Sequence, residues 1–346
     1  MRDSRIDAIK YYGIVGMVLL HSSYLLDDVS GDIPIQMAVT SIAGIGLPLY
    51  FFLSAYFFTI GYSSENMERK IISRIKKIAI PYILWQFIMI NVYDILGRLD
   101  RNRLGIRFID ETYFPSGIKE TFKFIYKGWR DPPLWYLLVL IQFVFITPVL
   151  LMLVKKFRYV SLLAISMIIL INVGYYGDIP YASLPYWAPE YLSGIWMAIY
   201  APDVVRDDKW KKLGGGGGYA VVGIFFFWIG SCILLKRESY TVYDHFKYLG
   251  WVLAPIALLG ISYFIPQKEF LYKGQFDAEY IIFCIHYPLI HMVATVVGNF
   301  IKPVGDAQKI YFWIGVVGAV LLCSHVAHYF LKRWCRPVYR SLYGDY

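Results

Sequence analysis

Apolar runs close to twenty residues long recur from end to end of the chain, separated by short polar or basic stretches. A run of that length, coiled as a helix, crosses the hydrocarbon of a bilayer. The candidate spans are Ala8–Leu26, Ala38–Tyr62, Ile78–Gly97, Pro133–Val154, Val160–Tyr175, Tyr186–Tyr200, Tyr219–Leu235, Tyr248–Phe264, Tyr280–Phe300 and Ile310–Leu331. The pattern predicts an all-α polytopic membrane bundle of about ten transmembrane helices. No polar stretch between spans is long enough to fold alone, so residues 1–346 read as one integral membrane domain. The first run has no small-residue cleavage site and carries Lys10 and His21, so it reads as a retained span and not a removable leader. Between the third and fourth spans, Ser116–Trp129 shows apolar residues at helical spacing beside a Lys119, Lys123, Lys127 stripe. That is the pattern of an amphipathic helix lying on the outer leaflet.

Basic residues orient the bundle. With the amino terminus inside, 21 of the 34 Lys and Arg fall on inner segments and 13 outside, eight of them in the single long loop Arg98–Pro132. The positive-inside rule then places both termini in the cytoplasm. Composition agrees with the class: 58% hydrophobic, 18% aromatic and a mean hydropathy of +0.49. The net charge of +9 follows from the inner basic segments facing anionic headgroups, and calls for no nucleic acid. Cys232, Cys284, Cys323 and Cys335 show neither CxxC nor outer clustering, which argues against disulfides and metal centres. Gly214–Gly218 lacks the Lys-Ser/Thr of a phosphate loop and reads as a flexible connection.

The polar residues inside the spans carry the candidate chemistry. Lys10 and His21 are eleven residues apart, close to three helical turns, so they share one face about 16 Å apart along the axis. A cation at the membrane surface thus lies in line with an imidazole deeper in the bilayer. An ionisable group at that depth is costly, which makes His21 a functional candidate; a hydrogen bond to a neighbouring helix is the other reading. His286 and His291 point to different faces, and His325 and His328 sit one turn apart with no third ligand, so no metal site is expected. His245 lies in a polar loop beside Asp244. Glu190 would line an acceptor cavity, tune a basic partner or be hydrated near the outer surface. Trp135 and Tyr136 would stack on a sugar ring or anchor the fourth span at the interface.

Several blocks, taken in order, resemble the acyltransferase-3 family of integral membrane enzymes. The opening RIDAIKYYGIVGMVLLHSS is similar to the family's Arg, ten residues, His pattern, with Lys10 at the Arg position and His21 in register. GIGLPLYFFLSAYFFT resembles its FF-x-L-S-G-F element, with Ser54 retained and Ala55 where Gly is usual. ERKIISRIKKIAIPYILW, PPLWYLLVLI and FCIHYPLIH resemble the blocks that follow, the last with Phe283 where Tyr is common. The resemblance implies transfer of an acyl group from acyl-CoA, a co-substrate and not a bound cofactor, to a sugar or other acceptor. It implies His21 as general base, with Ser54 and His286 shaping the site. Lys10, or Arg5 in its place, would meet the donor. The loop Ser63–Lys77, with Arg69, Lys70, Arg74, Lys76 and Lys77, would cradle CoA phosphates or simply anchor topology.

The expectation is therefore a bacterial cytoplasmic-membrane O-acyltransferase acting on a cell-surface glycan or lipid-linked precursor, its oligomeric state open. The rival classes are a transporter or flippase for such an intermediate, and a glycan polymerase. The lack of a repeated half in the sequence tells against the transporter.

Overall fold

The structure, a computed structural model, describes residues 4–26, 35–61, 66–99, 119, 132–175, 179–202, 228, 240–262, 277–303 and 305–344. These are mostly helical, with no strand among the described residues. In chain order they form α1 (Ser4–Ser22), α2 (Ile35–Ala43), α3 (Gly46–Ile60), α4 (Met67–Leu99), α5 (Trp135–Lys156), α6 (Arg158–Gly174), α7 (Leu184–Tyr200), α8 (Tyr240–Ser262), α9 (Glu279–Phe300), α10 (Asp306–Trp334) and α11 (Arg336–Tyr343). Short 3₁₀ turns, Ser23–Leu26 and Pro132–Leu134, follow α1 and precede α5. Among the described residues four helices are long and apolar enough to cross a membrane: Met67–Val92 within α4, then α5, α9 and α10. Shorter apolar helices cover Gly46–Ile60, Arg158–Gly174 and Tyr248–Gly260. Large apolar side chains such as Phe145, Met152, Leu163, Leu170 and Leu322 are exposed on these helices, a surface that suits lipid and not water.

Hydropathy located the helices but not their breaks. The second span is divided at Gly44–Ile45 into α2 and α3. The basic run expected as a loop is helical from Met67, continuous with the third span. The backbone at His245, expected in a loop, is helical because α8 begins at Tyr240. The amphipathic stretch Ser116–Trp129, apart from Lys119, and the glycine run lie outside the described residues, as does the seventh span apart from Trp228.

The helices group into two compact units, one from residues 1–67 and 145–279, the other from 68–144 and 280–346. Glycines set the crossings of the first. A Cβ on Gly46 of α3 would collide with the carbonyl of Gly13 in α1, and one on Gly194 of α7 with the carbonyl of Phe52 in α3. Ala55, fully buried, is the next neighbour at that second crossing. Small residues let backbones approach where no hydrophobic force distinguishes protein from lipid. Around them pack Ile6, Ile9, Leu49, Phe52, Leu53 and Tyr56.

Prolines shape the helices in both units. A proline inside a helix leaves the carbonyl four residues earlier without its donor. Pro189 frees the carbonyl of Pro185, and the Asn172 amide donates to it at 3.0 Å. In the second unit Pro81 frees the carbonyl of Lys77, and Gly344, left-handed with φ 69°, packs against it. Also in that unit, Tyr136 meets Phe283 edge-on at 5.9 Å between centroids, and Tyr339 stacks on Tyr343 at 4.1 Å.

Candidate active site

One face of α1 carries Lys10, Ile14, Met17 and His21, spaced by three and four residues. Ile14 and Met17, between the two polar residues, are 3% and 4% exposed, whereas Tyr12 on the opposite side is 56% exposed. The polar stripe therefore faces the protein interior, and His21, in the last turn of α1, is only partly exposed. At its other end the Lys10 ammonium meets Glu279 Oε1 at 2.5 Å and Asp7 Oδ1 at 3.6 Å. The Tyr50 hydroxyl of α3 donates to the Lys10 carbonyl at 2.5 Å. Glu279 is a partner that sequence reading missed, since nothing in the apolar pattern links residues 269 positions apart. Arg5, half-buried, lies one further turn toward the amino terminus.

Ser54 and His21 lie far apart. The pairs Gly13–Gly46 and Lys10–Tyr50 show that α1 and α3 run antiparallel. From the glycine crossing, His21 is eight residues along α1 in one sense and Ser54 eight residues along α3 in the other. At 1.5 Å per residue the two are about 24 Å apart along the axes. Ser54 lies instead at the level of Arg5 and Ile6, beyond the Lys10 end of the stripe. The sequence cannot show this, because the register between two helices is a tertiary fact.

Glu190 is fully buried, and among the described residues no donor from another residue reaches either carboxyl oxygen. Hydration at the outer surface is thereby excluded. Beside its helix, the Asn172 amide reaches the Tyr248 hydroxyl at 2.6 Å and the Tyr186 carbonyl at 3.2 Å, and the Tyr248 hydroxyl reaches the same carbonyl at 3.1 Å. Trp187, on the same helix, stacks on Phe51 at 5.0 Å. A buried carboxyl group in such a setting has hydrogen-bonding capacity that no other described residue takes up. Asn172 and Tyr248 escaped sequence reading; an Asn amid an apolar run, with a proline-broken helix later in the chain, was the available signal.

In the second unit His286 is fully buried on α9, its Nδ1 2.9 Å and 2.8 Å from the carbonyls of Ile282 and Phe283. A carbonyl only accepts, so Nδ1 carries the proton and Nε2 the lone pair. Tyr136 is buried against Phe283, a core position and not an open stacking platform, while Trp135 is half-buried at the first residue of α5. On α4 Arg69 and Lys76 form one stripe and Lys70, Arg74 and Lys77 another, about 100° away. Arg69, Lys76 and Lys77 are exposed; Lys70 and Arg74 are half-buried. His325 Nδ1 lies 2.8 Å from the Leu321 carbonyl and His328 Nδ1 2.8 Å from the Tyr343 hydroxyl. No group of three metal-ligating side chains occurs among the described residues.

An apolar cavity of about 680 Å³ lies in the first unit, lined in part by Ile9, Tyr12, Gly13, Gly16, Leu19 and Val39. Helical periodicity puts that stripe on the far side of α1 from His21, so it is not part of the polar site.

Comparison with known families matches residues 3–329 to a family described as an acyltransferase domain, of the acyltransferase-3 type. No curated protein and no solved structure matches the chain.

Proposed function

The chain belongs to the acyltransferase-3 family, a membrane acyltransferase, and from that premise we propose that it moves an acetyl or other short acyl group from acyl-CoA to a hydroxyl of a cell-surface glycan or its lipid-linked precursor. The observation that carries this reading is the inward stripe of α1, with a cation at one end and an imidazole about 16 Å further along.

In the proposed reaction a neutral His21 accepts the proton of the acceptor hydroxyl as that oxygen attacks the thioester carbonyl. The tetrahedral intermediate collapses, the carbon–sulfur bond breaks, and the imidazolium returns its proton to the CoA thiolate. The acyl oxygen ester and free CoA are the products. Lys10 is already held by Glu279 and Asp7, so the donor's phosphates fall chiefly to Arg69, Lys70, Arg74, Lys76 and Lys77, with Arg5 beside the Lys10 end. Ser54 belongs to the donor's path and not to the reacting centre. His286, with its proton fixed on Nδ1, supports the site through Nε2. Glu190 takes a hydrogen bond from the acceptor.

The ten-span arrangement with both termini inside a bacterial cytoplasmic membrane belongs to the same proposal. Three contacts support it, each joining residues that the arrangement assigns to the inner side: Lys10 with Glu279, the Tyr56 hydroxyl with the Pro202 carbonyl at 2.6 Å, and Gly344 with Lys77.

The test is acetyl-CoA consumption and acyl transfer by the purified protein in lipid nanodiscs, compared with His21→Ala. A base of this kind contributes roughly 10²- to 10⁴-fold, so the variant should lose that factor while binding acetyl-CoA as before. Undiminished transfer by the variant, or glycan transport without CoA consumption, would overturn the reading, the latter in favour of a transporter.

A further inference from the structure

The last helix, α11, lies beyond the residues that match the family, which end at 329, yet it is fastened to the basic run of α4. Pro81 leaves the carbonyl of Lys77 without its helical donor, and Gly344 closes over it. A Cβ at Gly344 would stand 2.5 Å from that oxygen, and φ 69° is a conformation that side chains disfavour, so glycine alone fits. Leu342 is buried, and Tyr343 packs on Tyr339, Tyr280 and His328. Burial raises the Tyr343 phenol above its usual range, so it stays protonated beside His328 Nδ1. The Gly344 amide donates to the Arg340 carbonyl, so Arg340 sits one turn from the contact with Lys77.

This brings a second set of cations to the basic run. Arg336 and Arg340, one turn apart on α11, are exposed, as are Lys76 and Lys77 on α4. None of the four forms an ion pair among the described residues, and Glu68 is the one acid between positions 66 and 80. Four exposed cations drawn from two helices, with no acid paired to them among the described residues, suit a compact ligand bearing several phosphate charges.

We propose that α11 completes the donor site: Arg336 and Arg340 join Lys76 and Lys77 in binding the phosphates of acyl-CoA, and the Gly344 dock holds them there. The proposal rests on acyl-CoA being the donor.

The test measures CoA binding by titration calorimetry in phosphatidylcholine nanodiscs, which carry no net headgroup charge. Arg336→Ala/Arg340→Ala should weaken CoA binding roughly tenfold, Arg336→Lys/Arg340→Lys should recover most of it, and the melting temperature should not move. Gly344→Val, which keeps both arginines but lifts the helix off α4, should show the same loss. Equal CoA affinity for wild type and the double alanine variant would overturn the proposal and leave the acyl-CoA reading intact. A loss seen only in phosphatidylglycerol nanodiscs would overturn it too, identifying the face as a headgroup anchor. Failure of the wild type itself to bind CoA would remove the donor reading and this inference together.

Discussion

Asn172 gives its side-chain amide to a carbonyl that Pro189 deprives of a backbone donor, and in doing so joins α6 to α7 and to Tyr248 of α8. Asn172→Leu leaves the Pro185 carbonyl and the Tyr248 hydroxyl to be satisfied otherwise in a dry interior. It should lower stability by about 1–3 kcal/mol, read as a fall in melting temperature of the purified protein. Glu190 is the contrasting case, buried with no such partner among the described residues. If the acceptor supplies the missing donor, Glu190→Leu should raise the acceptor KM by roughly tenfold with the acetyl-CoA KM unchanged; equal shifts in both would contradict that role. At this scale the sequence was informative about identity and silent about company. An eleven-residue spacing correctly put Lys10 and His21 on one face. It could not show that Glu279 would neutralise one of them, or that Ser54 would lie at the far end of the stripe from the other.

Helix crossings are where glycine earns its place. The Gly13–Gly46 approach brings α1 and α3 together at the backbone and fixes the register that separates Ser54 from His21. Gly46→Ala inserts a Cβ against the Gly13 carbonyl and should cost about 1–3 kcal/mol, as overpacking does elsewhere. A variant that melts with the wild type would mean the crossing is looser than its geometry states. Apolar length alone revealed most of these elements, because twenty consecutive apolar residues have few other uses. It missed the Gly44–Ile45 break and the extension of α4 to Met67 for opposite reasons: the break lies within continuous hydrophobicity, and the extension is a helix made of charged residues.

For the whole molecule the decisive question is which ends face the cytoplasm. In a cysteine-free background, Lys76→Cys and Arg340→Cys should react with an impermeant maleimide only after the cells are opened. Lys302→Cys, in the short connection between α9 and α10, should react in intact cells. Labelling of residues 76 and 340 from opposite sides is ruled out by the packing of Gly344 on Lys77. The family assignment was legible from motif order across nearly the whole chain, whereas α11 lies outside that match and its packing on α4 is a tertiary contact that no motif announces.

Lys10 is never a vacant cation. Any anion approaching the start of α1 must first dislodge the carboxylates of Glu279 and Asp7, which are tethered a few ångströms away and return the moment it leaves. Were a spent carrier to touch this end of α1, the two tethered acids would compete with it for the ammonium and favour its departure.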